Sequence, residues 1–196
     1  MPYPGRWFLL SALFLVMIAI PGPSNAETRL ALVVGNGAYI HVSALSNPVN
    51  DATGVAEALK GLGFSVTLRT DVTQADLKAA IAGFTDAVAG AGEGTLALFY
   101  YAGHGVQVAG GNYLIPVDAD IRTDRDVLLR AVPPSELLQT LHLAGSSTNV
   151  IILDACRDNP FKSASRSIAR GLARVDAPTG SLIAYATAPG QTAADV

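Results

Sequence analysis

The sequence predicts a single α/β domain, a mostly parallel sheet with helices on both faces. Two runs with few polar residues, TLALFYY at 95–101 and VIIL at 150–153, are typical of strands buried on both faces of such a sheet. Apolar residues recur at helical spacing in the segments between the strand patterns. The 196 residues are 50% hydrophobic and 15% charged, so one substantial core is feasible.

The remaining elements alternate along the chain as strands and helices. A hairpin is predicted around Ala109-Gly110-Gly111, and Thr73 is expected to cap the second helix. The acidic segment 116–126 is expected to be a solvated loop, and 162–174 an exposed flexible loop. Further strands are predicted at 28–34, 64–69 and 181–187, and helices at 50–61, 73–88 and 133–144.

The first residues form a predicted targeting segment. Arg6 supplies a positive charge, and residues 7–20 are apolar with one serine. This run of 14 residues is short of the roughly 20 that span a bilayer, so it predicts a secretory signal cleaved after Ala26. An uncleaved membrane anchor is the alternative. We therefore divide the chain into a signal peptide, 1–26, and a domain, 27–196, which is exported to the periplasm or outside the cell without stable membrane contact.

Composition and spacing argue against several other functions. A net charge of −3 provides no electrostatic footprint for nucleic acid. The single cysteine excludes an intramolecular disulfide and a cysteine-rich zinc site. Gly35-Asn36-Gly37 resembles the start of a dinucleotide fingerprint, but Ile40 stands at the third glycine position, and a loop containing Pro48 follows where a helix should begin.

Two reactive side chains follow the two buried runs. Cys156 comes at the carboxyl end of the second run, and His104 follows the first with a glycine on either side. Because chemistry collects at the carboxyl edge of open α/β sheets, the thiol is a candidate nucleophile and the imidazole its base. Their separation of 52 positions (156 − 104) is enough for a crossover that places two parallel strands side by side. His41 is a rival base.

The motifs YAGHG at 101–105 and DACRDNPF at 154–161 resemble those of the caspase-like cysteine peptidases. The resemblance extends from about Arg29 to the last residue and is closer to the bacterial metacaspase-like branch, the orthocaspases, than to animal caspases. It implies a caspase-like three-layer sandwich and a cysteine endopeptidase that uses His104 and Cys156 as a dyad. The oxyanion-hole donors would be the main-chain N–H groups of Gly105 and Cys156.

The same resemblance implies a specificity pocket for basic residues. Asp51 matches the aspartate that lines the primary pocket of metacaspases, Asp154 falls at a second pocket position, and Ala102 replaces the family's serine. Asp51 also suits the first turn of a helix, and the two roles are compatible. We expect cleavage after Arg or Lys in protein or peptide substrates, with self-processing within 162–174. No organic cofactor and no metal ligand are assigned.

Some features of the family leave alternatives open. Some metacaspases need calcium bound by clustered acids, and Asp118 matches part of that pattern without EF-hand spacing. Family members also continue beyond Val196 into more of a small-subunit-like region. One alternative is a catalytically weak or inactive caspase-like binding module, and another is a different thiol enzyme, such as an acyltransferase. The acids Asp51 and Asp154 favour the peptidase, but the sequence names no residue that orients His104.

Overall fold

A mostly parallel sheet lies at the centre of the molecule. The computed structural model describes residues 27–156, 161, 172 and 177–186. The described strands are β1 (Arg29–Gly35), β2 (Ser65–Thr70), β3 (Leu96–Val108), β4 (Gly111–Leu114), β5 (Thr148–Cys156) and β6 (Ser181–Tyr185). The described helices are α1 (Pro48–Gly61), α2 (Gln74–Ala91), α3 (Asp124–Arg130) and α4 (Pro134–Leu143).

The strand order within the described sheet is β2-β1-β3-β5-β6, with β4 paired to β3 outside this path. Every pair along the path is parallel, and only the hairpin of β3 with β4 is antiparallel. The described connections from β1 to β2, from β2 to β3 and from β4 to β5 contain helices, as parallel pairing requires. The predicted fold class is therefore confirmed.

Helices cover both faces of this sheet because its strands are apolar on both sides. Alternate residues of a strand point to opposite faces, and in β1 both sets are buried from Ala31 to Gly35. Helix α1 packs on one face, and α2 and α4 pack on the other. The first face buries Ala31, Val33, Leu98 and Tyr100 against Ala52 and Ala56, and the second buries Leu32, Phe99, Tyr101 and Ile151 against Leu77, Phe84, Leu137 and Leu141.

Strand β3 is longer than the sequence predicts. We expected it to end at Tyr101, but it continues through His104 to Val108 as one strand of the hairpin with β4. The predicted hairpin turn is confirmed, since Ala109 and Gly110 have φ angles of 50° and 80°. Pairing with β4 extends β3 past the end of β1 and therefore carries His104 inside a strand.

Two helix predictions also need correction. Helix α1 begins at Pro48, two residues earlier than predicted, because proline is tolerated in a helix's first turn. The acidic segment is not all loop, since α3 begins at Asp124. The Thr123 hydroxyl accepts from the Asp126 N–H, and the Asp126 carboxylate accepts from the Thr123 N–H, which forms a capping box. This reciprocal capping is what allows so short a helix to form there.

The predicted signal peptide lies outside the described residues, as does all of the predicted processing loop except Leu172. That leucine is 4% exposed and belongs to the main core cluster, so the expectation of an exposed loop is wrong at this position. Burial of an apolar side chain against the core stabilises the folded state. No described helix combines the length and apolar character needed to cross a bilayer.

Candidate active site

Strands β3 and β5 bring His104 and Cys156 together. The two strands pair in parallel register from Leu96 opposite Thr148 to His104 opposite Cys156, which are the last partners of the ladder. Neighbouring strands in a sheet lie about 4.8 Å apart. The two residues that carry the predicted chemistry therefore occupy adjacent positions at the carboxyl end of the central strand pair.

The imidazole of His104 is held by a main-chain carbonyl. His104 is 4% exposed, and its Nε2 atom lies 2.9 Å from the oxygen of Ser43. A carbonyl oxygen can only accept, so Nε2 carries the ring proton of the neutral imidazole and Nδ1 carries the lone pair. The tautomer follows from this hydrogen bond, and Nδ1 is then the ring atom that can take a proton.

Two tyrosines bind the main chain of His104. The His104 N–H donates to the Tyr39 hydroxyl at 2.7 Å, and the Tyr101 hydroxyl lies 3.0 Å from the His104 oxygen and 2.9 Å from that of Ile115. The two hydroxyls are 3.2 Å apart. The ring centroids of Tyr39 and His104 are 4.5 Å apart with planes inclined at 49°.

The loop that follows β1 supplies both Tyr39 and Ser43, and buried polar contacts fix it. The Asp71 carboxylate accepts from the N–H groups of Gly37 and Ala38, both at 2.8 Å. Asn36 is fully buried, and its side chain donates to the Ile115 oxygen and accepts from the Val72 N–H. The two bonds to the Asp71 carboxylate are charge-assisted, whereas those of Asn36 are neutral and buried.

Glycines 35 and 37 serve this loop through close packing. A Cβ at Gly35 would lie 2.5 Å from the Pro48 oxygen, and one at Gly37 would lie 2.6 Å from the Leu45 oxygen. Neither position admits a side chain without movement of the backbone. The glycines that superficially resembled a nucleotide fingerprint therefore let the loop fold back on α1 and on itself.

Gly105 presents its N–H on the side of β3 where β5 ends. The His104 oxygen accepts from the Ile115 N–H and so points to the β4 side of β3. Leu114 is the register partner of Gly105 on β4, but its N–H and its oxygen both bond to Val132, so it does not bond to Gly105. Because successive main-chain groups of a strand point to opposite sides, the Gly105 N–H points toward β5. A Cβ at Gly105 would lie 3.0 Å from the Ala155 Cβ.

The predicted pocket acids lie around Tyr100. The Tyr100 hydroxyl donates to Oδ2 of Asp154 at 3.1 Å, and Asp154 is the register partner of Ala102. The pKa of Tyr100 is raised well above its usual range. The largest cause is burial, followed by the charge and hydrogen bond of Asp154 and then by the charge of Asp51. The phenol therefore stays protonated and remains a hydrogen-bond donor to Asp154.

The other candidates have different surroundings. His41 is exposed, and its charge acts on Asp120, whose pKa is lowered mainly by a hydrogen bond from Arg122. Asp118 accepts from the Gln74 N–H at 2.9 Å, at the start of α2. In the part of the chain that the structure describes, no three acidic, histidine or cysteine side chains are grouped to hold a metal ion.

Sequence reasoning missed Ser43, Tyr39, Tyr101 and Tyr100. The tyrosines gave a usable signal, because a buried phenol needs a hydrogen-bond partner and Tyr100 and Tyr101 stand within an apolar run. Ser43 gave none, because the contact uses its main-chain oxygen.

An α/β sandwich whose central parallel ladder ends at a histidine opposite a cysteine has the architecture of a caspase-type cysteine peptidase. The model of the caspase domain matches residues 28–196, and the chain belongs to the caspase family. Members of this family are cysteine peptidases, which act on protein substrates.

Curated relatives include mucosa-associated lymphoid tissue lymphoma translocation protein 1 from Homo sapiens, which is 28% identical over 134 residues, 67% of this chain. Its homolog from Mus musculus is 28% identical over 138 residues, 69% of this chain. The chain spans only 15% and 16% of the length of these relatives. Protein GSU0716 from Geobacter sulfurreducens superimposes with a TM-score of 0.52 at 21% identity, over 67% of this chain and 51% of that one, and shows likeness of fold alone.

Proposed function

We propose that this protein is a cysteine endopeptidase of the bacterial metacaspase-like branch, with His104 and Cys156 as its dyad. The observation that carries the proposal is the register pairing of these two residues at the end of β3 and β5. The second support is the Ser43 carbonyl, because it fixes the tautomer in which Nδ1 of His104 is the base. The enzyme would be exported and would cut protein or peptide substrates without an organic cofactor.

The proposed reaction has two halves. The Cys156 thiol gives its proton to Nδ1 of His104, and the thiolate attacks the carbonyl carbon of the scissile peptide bond. The imidazolium then donates that proton to the leaving amine as the C–N bond breaks, which leaves a thioester. In the second half, His104 takes a proton from a water molecule as the water oxygen attacks the thioester carbon. The C–S bond then breaks to release the carboxylic product, and the imidazolium returns its proton to the Cys156 sulfur.

The main-chain N–H of Gly105 is the proposed oxyanion donor from β3, and that of Cys156 is the proposed second donor. The direction of the Gly105 N–H, toward the end of β5, supports this assignment. Loss of one such donor costs about 10²- to 10³-fold in rate in other enzymes. A rigid hairpin is a suitable carrier, because preorganised dipoles need no rearrangement during the reaction.

The proposed specificity is for Arg or Lys before the scissile bond. Asp51 and Asp154 are the proposed pocket acids, and the charges of both act on Tyr100. An arginine can meet a carboxylate with paired, charge-assisted hydrogen bonds. We infer that Tyr100 orients Asp154, because its hydroxyl occupies Oδ2 and leaves Oδ1 for the substrate. Each charged hydrogen bond contributes roughly 1.5–3 kcal/mol.

The test is hydrolysis of short fluorogenic peptides that end in Arg, Lys or Asp. We expect turnover of the Arg and Lys peptides, and its loss in Cys156→Ala and His104→Ala without loss of the circular dichroism signal. The matched control is His41→Ala, a second histidine, which should keep most of the activity. Turnover by Cys156→Ala would contradict the dyad. A folded wild type that cuts no peptide would indicate the binding module, and acyl transfer without hydrolysis the acyltransferase.

A further inference from the structure

We propose that Tyr39 and Tyr101 are positioning residues for His104, acting through its main chain and through the face of its ring. The proposal rests on the proposed role of His104 as the base. It concerns residues that contact His104 rather than the substrate. Three observations support it, and each is independent of the identity of the substrate. They are the end of the β1 ladder before His104, the hydrogen bonds that join the two phenols to the His104 main chain, and the close approach of both hydroxyls to Gly103.

His104 stands where the sheet no longer provides a partner on the β1 side. Strand β1 ends at Gly35, whose partner on β3 is Ala102. Beyond that point, the Tyr39 hydroxyl takes the place of the missing strand and accepts the His104 N–H at 2.7 Å. The His104 oxygen is bound by the Ile115 N–H and the Tyr101 hydroxyl, both at 3.0 Å. The backbone of the base is thereby fixed at both ends.

The two hydroxyls form a chain with a defined direction. The Tyr101 hydrogen is directed at the carbonyl oxygens of His104 and Ile115, which can only accept. Because the Tyr101 hydrogen points at these carbonyls, the Tyr39 hydroxyl is the donor in the contact between the two hydroxyl oxygens, which are 3.2 Å apart. The chain therefore runs from the His104 N–H through both phenols and returns to the His104 carbonyl. Removal of either hydroxyl breaks this loop in a buried environment.

Gly103 shows how closely the hydroxyls are set against the strand. Its φ is 151°, and a Cβ there would lie 2.6 Å from the Tyr39 hydroxyl and 2.8 Å from that of Tyr101. The glycine before the histidine is thus needed so that both phenols can reach the backbone. The Tyr39 ring also lies against the imidazole with centroids 4.5 Å apart, which restricts rotation of the ring that must meet Cys156.

The test combines steady-state kinetics with the pH dependence of alkylation of Cys156, the single cysteine in the chain. Tyr39→Phe keeps the ring and removes the hydroxyl. We expect kcat to fall by about 10- to 100-fold with little change in KM, as when a catalytic group is misplaced by about 1 Å. We also expect the midpoint of iodoacetamide alkylation to move up toward the ordinary thiol value of about 8.5, since the thiolate loses its aligned imidazolium.

Tyr113→Phe is the matched control, because it deletes a phenol that contributes no hydrogen bond within the described residues. It should leave both readouts unchanged. If Tyr39→Phe does not fold, Tyr101→Phe is measured instead and the same shifts are expected. Wild-type kcat and midpoint in either folded variant would overturn the proposal, as would loss of folding in both. Alkylation needs no substrate, so it tests the positioning even if the wild type cuts no peptide.

Discussion

The Nε2 atom of His104 lies 2.9 Å from the main-chain oxygen of Ser43, 61 positions earlier in the chain. The acceptor is uncharged, so it fixes the tautomer and supports an imidazolium by its dipole, without the strong attraction that a carboxylate would exert. It also belongs to the same loop as Tyr39. The conformation of one short loop therefore determines both the orientation of the imidazole and the position of its main chain.

We expect the loop that follows β1 to tolerate a change of side chain at Ser43 better than a displacement of its backbone. Ser43→Ala keeps the carbonyl and should leave kcat near the wild-type value. Gly37→Ala places a Cβ 2.6 Å from the Leu45 oxygen, so the loop must move, and kcat should fall by about 10- to 100-fold. Peptide hydrolysis by the two folded variants measures the difference. A large loss in Ser43→Ala would mean that the hydroxyl, and not the carbonyl, is required.

Substitution of the pocket acids should change specificity. Asp51→Asn and Asp154→Asn should each reduce kcat/KM for an Arg peptide by about 10- to 150-fold, which is the loss of 1.5–3 kcal/mol at about 1.4 kcal/mol per tenfold. Asp86→Asn, which makes the same change at an exposed site on α2, is the control and should cause no loss. Wild-type preference for an Asp peptide over an Arg peptide would be incompatible with an acidic pocket.

The raised pKa of Tyr100 predicts an alkaline loss of stability. Burial, Asp154 and Asp51 raise its pKa in the folded state, whereas the unfolded value is about 10. The folded state therefore holds the proton more tightly, and the contribution is complete below about pH 10 and is lost as the pH rises above it. One such group contributes a slope of about 1.4 kcal/mol per pH unit to the free energy of unfolding.

Tyr100→Phe should remove that slope. Urea unfolding of the wild type and the variant at a series of alkaline pH values measures it. Equal slopes in the two proteins would show that Tyr100 does not hold its proton more tightly when folded. In the peptide assay, the same variant should raise KM for Arg substrates more than it lowers kcat, because Asp154 loses the donor that orients it.

Export is predicted by the first 26 residues alone. The charged, apolar and small-residue regions before Glu27 predict cleavage after Ala26. Mass spectrometry of the exported protein should therefore find Glu27 at its amino terminus. Intact protein that begins at Met1 in a membrane fraction would favour the uncleaved anchor instead.

The sequence by itself determined the order of the elements apart from α3, the parallel sheet and the two residues at its reactive edge. These features have local signals. Residues 95–101 and 150–153 have the apolar character of buried strands, helical spacing identifies α1 and α2, and the prolines at its start indicate α4. Cys156 and His104 stand out because their side chains carry chemistry and follow those runs directly. The paired motifs then supplied the family.

Tertiary structure alone decided how the base is held. Every residue has the same main-chain carbonyl, so nothing in the sequence distinguishes the oxygen of Ser43 from its neighbours, and only packing brings it to His104. The extension of β3 past His104 likewise depends on pairing with β4, a contact between strands rather than a property of either one. The phenol of Tyr39 reaches the His104 N–H because β1 has already ended, and this follows from the relative lengths of the paired strands.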